Sequence, residues 1–324
     1  MDGTWFVGAF DSFTLTWQFF FAQLVTGLTL GSLYALIALG YSMIYGILKL
    51  LNFAHGDVYM MGSYIGFFVL TSLGGAQHPS VSVPLMIILV FGAAMAGSAV
   101  LGVVIERFAY RPLRRAPRIA PLISALGVSF FLQQTALLFF GSIPKQYNTF
   151  SLSNGVLLFK GVTLGSFRIT YAQIIVIGTA ILLMIALTLL VARTRVGKAM
   201  RATSFDLEAA AMMGIDVDRV IVFTFFVGSA LAGAAGVMNG LVYQNVFPTV
   251  GFQAGLKAFT AAVVGGIGNI PGAMLGGIVI GLAEAFATGY VSSTFQDAIV
   301  FSILIAVMIV RPAGLLGTRA IQKV

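Results

Sequence analysis

The sequence contains no cysteine and only two histidines among its 324 residues. Without cysteine there is no disulfide scaffold, no thiolate metal site and no cysteine nucleophile. The two histidines are too few for a metal site built from histidine alone. The functions that such residues usually reveal are therefore excluded.

Charged side chains are also scarce. They make up 9% of the chain, whereas a soluble domain carries about 25%. Hydrophobic residues make up 59%, so the chain lacks the polar surface that a water-soluble globule of this size needs. The formal charge of +8 does not indicate nucleic-acid binding, because the basic residues lie between apolar runs rather than among stacking aromatics. The composition predicts an integral membrane protein.

Long runs without Asp, Glu, Lys or Arg locate the membrane-spanning helices. A span needs about 20 apolar residues, and a charge at its centre costs roughly 2.5 to 3.5 kcal/mol. The predicted fold is an all-α, polytopic transmembrane bundle, and a shorter element near 254–268 is a ninth crossing or a re-entrant segment. Eight spans are predicted, near residues 19–48, 55–73, 83–105, 119–141, 171–192, 219–243, 272–290 and 295–311.

Basic residues predict the orientation, because short cytoplasmic loops are enriched in Lys and Arg. They concentrate in the loops around 107–118 and 193–219 and after residue 311, which places the C-terminal tail, 318–324, in the cytoplasm. Counting back puts the N-terminus outside. Residues 1–18 are then an outer segment along the membrane interface, and 142–170 form the longest periplasmic loop.

Three features of the loops carry further expectations. The pattern from Gly155 to Leu164 is typical of a β-hairpin on the outer face. Glu284 and Asp297 bracket the final outer turn and are expected to be solvated. The cytoplasmic segment 193–219 is predicted to hold a short helix, with Ser204 as its N-cap and Gly214 as its end.

Glycines have two predicted roles. Pairs spaced four residues apart, such as Gly27 and Gly31 or Gly62 and Gly66, favour close packing of helices in lipid. A denser cluster exceeds what packing requires and predicts a broken helix, which survives at membrane depth only when buried in protein or lining a cavity. The residues of this predicted gating break are Gly265, Gly266, Gly268, Pro271 and Gly272.

The stretch from Asn52 to Asp57 lies between two predicted spans and leaves two interpretations open. His55 and Asp57 could form a proton relay, a pH-sensitive element or half of a metal site. Alternatively, Asn52 or Asp57 caps a helix that begins near Val58, with His55 hydrogen-bonded to backbone. Lys257 lies between two long uncharged runs and is either a functional intramembrane residue or a side chain that reaches the interface.

The short helix of segment 193–219 presents Leu207, Ala211 and Met212 at helical spacing. A helix of about ten residues is marginal in water by itself. It is expected to lie in a groove of a cytoplasmic partner.

Several motifs together resemble one family. Glu208-Ala209-Ala210 followed by Gly214 is similar to the coupling loop of ABC importer permeases. With further motifs, it identifies residues 19–317 as resembling the LivH-type permeases of branched-chain amino-acid ABC importers. These further motifs lie at 27–36, 52–64, 106–114, 257–273 and 312–317.

The resemblance implies a permease that pairs with a second, related permease, two ATPase subunits and a periplasmic substrate-binding protein in a bacterial inner membrane. The implied substrates are leucine, isoleucine and valine. This chain has no phosphate-binding Gly-x-x-x-x-Gly-Lys-Ser/Thr loop, so it is expected to bind no cofactor, and ATP with Mg²⁺ is used by the partners. Contacts with the ATPase are expected from Arg201, Asp206, Leu207, Glu208, Ala209, Ala210 and Gly214.

The substrate path is predicted at polar residues near breaks or ends of spans. Relatives that carry another amino acid, an amide or urea leave the substrate open. An ion-coupled secondary transporter, with Asp57 as its ion-binding residue, is the main alternative class. An intramembrane enzyme is disfavoured because no nucleophile with a base can be assembled. The predicted path residues are Asn52, His55, Gln244, Asn245, Lys257 and Thr260.

Overall fold

The structure, a computed structural model, describes residues 4–74, 82–114, 116–117, 119–147, 161–164 and 167–317. Within these ranges the chain is almost entirely helical, as the composition predicted. The α-helices are α1 (Thr4–Leu48), α2 (His55–Ser72), α3 (Val83–Ile105), α4 (Ile119–Phe140), α5 (Tyr171–Arg193), α6 (Arg195–Phe205), α7 (Leu207–Met212), α8 (Val217–Tyr243), α9 (Val250–Gly265), α10 (Ile270–Phe286) and α11 (Gln296–Val310).

Seven helical segments in the described residues are long and apolar enough to cross a membrane. The predicted count of eight or nine is not reached, because α2 begins with the polar residues His55, Gly56 and Asp57, and α9 is too short. The seven segments are Trp17–Leu48, Val83–Leu113, Ile119–Phe140, Tyr171–Arg193, Val217–Tyr243, Ile270–Val291 and Ser293–Val310.

The N-terminal segment differs from its prediction. The backbone from Thr4 to Leu48 forms one continuous helix, so the predicted span near 19–48 is the second part of a longer element. The predicted boundary at residue 18 does not coincide with a break in this helix. Residues 1–3 and the tail 318–324 lie outside the described residues.

Two short antiparallel strand pairs complete the fold. Strand β1 (Lys145–Gln146) pairs with β4 (Asn245–Val246), which links the loop after α4 to the end of α8. Strand β2 (Gly161–Leu164) pairs with β3 (Phe167–Thr170).

The second strand pair corrects the position of the predicted hairpin. The prediction placed both strands within 155–164, but the partner of β2 lies beyond residue 164. Residues 155–160 lie outside the described part of the chain. The hairpin leads directly into α5, whose first turn is held by a capping box between Thr170 and Gln173.

Helices contact each other through glycine, as the four-residue spacing predicted. A Cβ atom built on Gly31 of α1 would lie 2.8 Å from the Cα of Ile278 on α10. One built on Gly62 of α2 would lie 2.5 Å from the Cα of Gly233 on α8. Lipid supplies no hydrophobic drive for association, so such close backbone contact is a main source of helix adhesion.

The basic loops lie together at one end of the bundle. Arg111 and Arg114, in the loop after α3, both pair with Asp218 at the start of α8. Arg114 also pairs with Glu106, whose side chain is fully buried. The two arginine-rich loops therefore lie together at the same end, as the orientation argument requires.

Candidate functional site

A cavity of about 460 Å³ lies between α1, α8, α9 and α10. Its volume falls within the range of roughly 300 to 1,000 Å³ that is typical of small-molecule sites. One part of its wall is apolar and comes mainly from α1 and the start of α9. The polar part is lined by Gln23, Thr26, Tyr34, Tyr59, Asn239, Tyr243, Asn245, Gln253, Lys257, Glu284, Thr288 and Gln296.

An ion triad forms part of this polar wall. Lys257 Nζ of α9 lies 2.6 Å from Glu284 Oε1 of α10 and 2.7 Å from Asp297 Oδ1 of α11. Tyr34 of α1 donates a hydrogen bond of 2.8 Å to Glu284 Oε2. The carboxylate of Glu284 thereby connects α1, α9 and α10, and Lys257 adds α11.

The expectation that Glu284 and Asp297 are both solvated is wrong for Glu284. Its residue is 4% exposed, whereas the Asp297 side chain is 57% exposed. An isolated charge costs several kcal/mol to bury, so a lysine in a helix bundle requires a nearby carboxylate. Glu284 meets this requirement for Lys257.

The six predicted path residues do not form one site. Asn245 and Lys257 line the cavity. Gln244 is the left-handed C-cap of α8, and its carbonyl accepts a hydrogen bond from Tyr147. Thr260 is fully buried, and its hydroxyl donates to the carbonyl of Leu256 one turn earlier.

The remaining two path residues, Asn52 and His55, lie near the start of α2. Asn52 accepts a hydrogen bond of 3.0 Å from Tyr110. His55 is fully buried with its ring edge against Tyr41, at a centroid distance of 5.0 Å. Neither is among the residues that line the cavity.

The predicted cap of α2 is wrong in its details. The helix begins at His55 rather than near Val58, and Ala54 is the N-cap without a side-chain hydrogen bond. The ring nitrogens of His55 lack a hydrogen bond of normal geometry to the described residues, and the backbone of Ile37 interacts with the ring more loosely. Asp57 is instead held by α4, where Gln133 donates to it at 3.1 Å and Ser129 donates to its other oxygen.

The start of α2 lies deep in the bundle. The His55 ring packs against Gly40, and Gly40 in turn packs against Gly228 of α8. Gly228 lies roughly 16 Å along α8 from Val217, at 1.5 Å per residue. In a hydrocarbon core of about 30 Å, this is near mid-depth. Of the segment before α2, Asn52 and Ala54 are buried in protein, the condition under which irregular backbone is tolerated at membrane depth.

A turn separates α9 from α10 at the predicted glycine cluster. Gly266 and Gly268 have φ of 111° and 89°, a region that glycine adopts without a Cβ clash. Pro271 lies in the first turn of α10, and the Asn269 side chain caps that helix through the amide of Gly272. Gly265, the last residue of α9, packs against Gly272 across the turn.

The turn is tied to two other parts of the chain. Ser42 of α1 accepts a hydrogen bond of 2.8 Å from the amide of Gly268. The C-terminal segment adds two backbone bonds, from Leu315 to Val264 and from Leu316 to Gly265. Asn269 Nδ2 donates to the carbonyl of Leu316 at 2.6 Å.

The arginine-rich segment forms two short helices, α6 and α7. Asp206 is the N-cap of α7 and accepts from the amides of Glu208 and Ala209, so the predicted cap at Ser204 is wrong. Ser204 donates to the carbonyl of Arg201 within α6 instead. Gly214 ends the segment with φ of 82°, as a left-handed C-terminal glycine.

This segment exposes an apolar patch, Phe205, Met212 and Met213, whose members are 90%, 88% and 83% exposed. Leu207 is 40% exposed, whereas Ala210 is buried. Arg201 donates to the carbonyl of Val191, which fixes α6 to the end of α5. The apolar face is thus held outward.

Comparison with known proteins decides the family. A family model described as the permease component of the branched-chain amino acid transport system matches residues 23–310. The chain belongs to this family. The permease protein BraD of the high-affinity branched-chain amino acid transport system of Pseudomonas aeruginosa is 47% identical over 93% of this chain and 97% of its own length.

Two further relatives agree. LivH of Escherichia coli, a permease protein of the same kind of system, is 43% identical over 94% of this chain and 98% of its own. A probable LivH permease of Methanocaldococcus jannaschii is 29% identical over 88% and 89%. Members of this permease family are membrane transport components rather than enzymes.

Sequence reasoning missed the partners of two buried charges in this permease. The pairing of Lys257 with Glu284 joins separate helices, as does that of Asp57 with Ser129 and Gln133. One signal was available: each charge lies in an apolar run and requires compensation. It indicates that partners exist but not which helices supply them.

The role of Asn269 in the permease can be tested with two variants. Asn269→Asp keeps the acceptor that caps α10 but loses the donor to Leu316, whereas Asn269→Ala loses both. We expect Asn269→Asp to speed hydrogen exchange at the amides of Leu315 and Leu316 while α10 stays protected. Asn269→Ala should also destabilise α10, by about 1 kcal/mol. Unchanged exchange in both variants would contradict the proposed tie.

Proposed function

We propose that this chain is a permease subunit of a binding-protein-dependent ABC importer and forms, with a second related permease, the path for leucine, isoleucine and valine. Two ATPase subunits drive it, and a periplasmic binding protein delivers the substrate. The family match and the names of the relatives support this proposal. The observation that carries it is a cavity that combines a lysine and a carboxylate with apolar walls, as a zwitterion with a branched side chain requires.

The proposed topology has nine crossings in a bacterial inner membrane. It adds α2 and α9 to the seven long apolar segments. With the N-terminus outside, both arginine-rich loops and the C-terminus then lie in the cytoplasm. The ion pairs between these loops, Arg111 and Arg114 with Asp218, support their common side. The cavity and the β2–β3 hairpin lie toward the periplasm in this topology.

The proposed contact with the ATPase is the segment from Arg201 to Gly214. Its apolar patch, defined above, is held outward by the cap at Asp206 and the buried Ala210. An exposed apolar patch on a short capped helix is suited to a groove of a partner protein. Motion of the ATPase is transmitted through α6 and α7 to α5 and α8. Tilting of these helices switches the path between inward-facing and outward-facing states.

The gating break is proposed at the turn from Gly265 to Gly272. Its left-handed glycines and its few ties to Ser42 and Leu316 allow it to rearrange without loss of a long helix. The turn lies at the end of α9 opposite the cavity. It is therefore placed to close the path on the cytoplasmic side.

The function is tested by uptake of labelled leucine into proteoliposomes that contain this chain, its co-purifying subunits and the binding protein. We expect uptake to require ATP on the side of the ATPases and to be blocked by excess isoleucine or valine. Competition by another amino acid, an amide or urea alone would contradict the substrate. Uptake that ignores ATP and follows an ion gradient would contradict the transporter class.

The coupling segment is tested by Glu208→Ala and Gly214→Ala. Glu208 is exposed and makes no ion pair among the described residues, so its loss should leave the fold intact. An alanine at Gly214 costs about 1 to 2 kcal/mol in the left-handed conformation and should distort the end of α7. We expect both variants to lose most ATP-driven uptake while hydrolysis continues.

Thr188→Ala is the control, because Thr188 lies on α5 outside this segment and its hydroxyl donates to the carbonyl of Met184 in the same helix. It should retain both uptake and hydrolysis. ATP hydrolysis and uptake are measured on the same preparations. Normal coupling in Glu208→Ala and Gly214→Ala would show that this segment is not the ATPase contact.

A further inference from the structure

The wall of the cavity places a cation and an anion side by side. We propose that Lys257 and Glu284 are a subsite for the two charged groups of a free amino acid, with Lys257 binding the α-carboxylate and Glu284 the α-ammonium group. This proposal rests on the permease function above and names the groups that recognise the substrate. The predicted path included Lys257 but gave no partner for it.

The hydrogen-bonding capacity of the pair is not exhausted. An ammonium group has three donors, and Lys257 uses two of them, on Glu284 and Asp297. A carboxylate offers about four acceptor positions, and Glu284 uses two, for Lys257 and Tyr34. One donor and two acceptor positions therefore remain within a few ångströms of each other. This is the arrangement that adjacent carboxylate and ammonium groups of an amino acid require.

The placement of the charges, rather than their sum, favours a zwitterion. Lys257 faces two carboxylates, so the triad carries a net charge of about −1 when all three groups are ionised. An ammonium group bound here pairs with Glu284, and its neighbouring carboxylate occupies the remaining donor of Lys257. The zwitterion thus leaves the net charge of the site unchanged and pairs each of its two charges with an opposite one. A simple anion would face Glu284 without compensation. A simple cation would leave the remaining Lys257 donor unused.

The shape of the cavity fits a branched aliphatic side chain. Leu30, Leu33 and Ile37 of α1 line it, together with Phe247 and Val250. These side chains offer apolar contact without hydrogen-bonding groups. Burial of each methylene group contributes about 0.8 kcal/mol. A side chain the size of leucine is therefore bound, whereas a polar side chain would lose its hydration.

A purely structural role of the triad leads to a different expectation. The same contacts hold α9, α10 and α11 together. If that were their only role, their loss would change the stability of the bundle and the transport rate, but not the relative affinity for different ligands. A subsite changes the relative binding of ligands that lack one charge. Two such analogues of leucine are 4-methylpentanoate, which lacks the ammonium group, and 3-methylbutylamine, which lacks the carboxylate.

The test uses the purified complex in lipid nanodiscs without the binding protein. A diazirine analogue of leucine is crosslinked by light, and the labelled peptides are identified by mass spectrometry. Leucine and the two analogues compete for labelling. We expect label on the peptides that contain Leu30 to Ile37 or Val250 to Lys257, and at least tenfold weaker competition by either analogue than by leucine.

Two variants should change the competition ranking, and each should improve the relative binding of a different analogue. Glu284→Gln keeps the size and an acceptor for Tyr34 but loses the charge. It should bring 4-methylpentanoate to within about threefold of leucine. Lys257→Met should do the same for 3-methylbutylamine. Arg168→Gln, a neutralised exposed charge on β3 outside the cavity, should keep the wild-type ranking.

The outcomes separate the subsite from the function. Lys257→Met leaves Glu284 buried without its cation, and this variant can therefore fail to assemble. In that case the competition ranking measured for Glu284→Gln is the test of the subsite. An unchanged ranking in Glu284→Gln, or label confined to peptides outside the cavity, overturns the subsite even when ATP-driven leucine uptake is normal. Absence of such uptake in the wild-type complex overturns the permease function instead.

Discussion

Close backbone contacts at glycine residues hold α1 and α2 against α8, and these contacts set the positions of the other elements. Gly228 of α8 lies against Gly40 of α1, so that a Cβ atom added to Gly228 would lie only 3.3 Å from the Cα of Gly40. Gly62 and Gly233 bring α2 still closer to α8. Side chains larger than glycine would separate these helices, and lipid supplies no force that would hold them together at the greater distance.

The cavity follows from the same constraint. Helices α1 and α8 are in backbone contact at Gly40 and Gly228, and toward the cavity the side chains between these two helices are larger. Tyr34 on α1 and Asn239 on α8 then line the space between them. Polar groups buried there need partners, because burial removes part of their hydration. The triad of Lys257, Glu284 and Asp297 meets this need and also fixes three further helices around the same space.

The sequence predicted well what depends on local pattern. Uncharged runs located α3, α4, α5 and α8 to within a few residues, because hydrophobic length is read directly from the chain. The cluster around Gly266 and Pro271 located the turn before α10, because few other residues adopt positive φ. Local competition was harder to resolve. Ser204 and Asp206 are both good N-caps, and only the structure shows that the helix begins after Asp206.

Contacts between helices were beyond sequence reasoning. Lys257 and Glu284 lie on different helices, and nothing in either apolar run specifies the rotation that brings them together. The cap of α2 was misassigned for a similar reason. Its first turn, with His55 and Asp57, is supported by packing against Gly40 and by hydrogen bonds from α4 rather than by a local cap.

The central claim is that the cavity opens to the periplasm and lies on the substrate path. Because the chain has no cysteine, labelling of this chain by a maleimide reports only on a cysteine introduced by mutation. Ala254→Cys in the cavity wall should react with a membrane-impermeant maleimide added outside spheroplasts, and leucine should slow the reaction. Leu316→Cys, at the opposite end of the bundle, should react only after permeabilisation. The reverse pattern, or labelling of Ala254→Cys that leucine does not alter, would contradict the account.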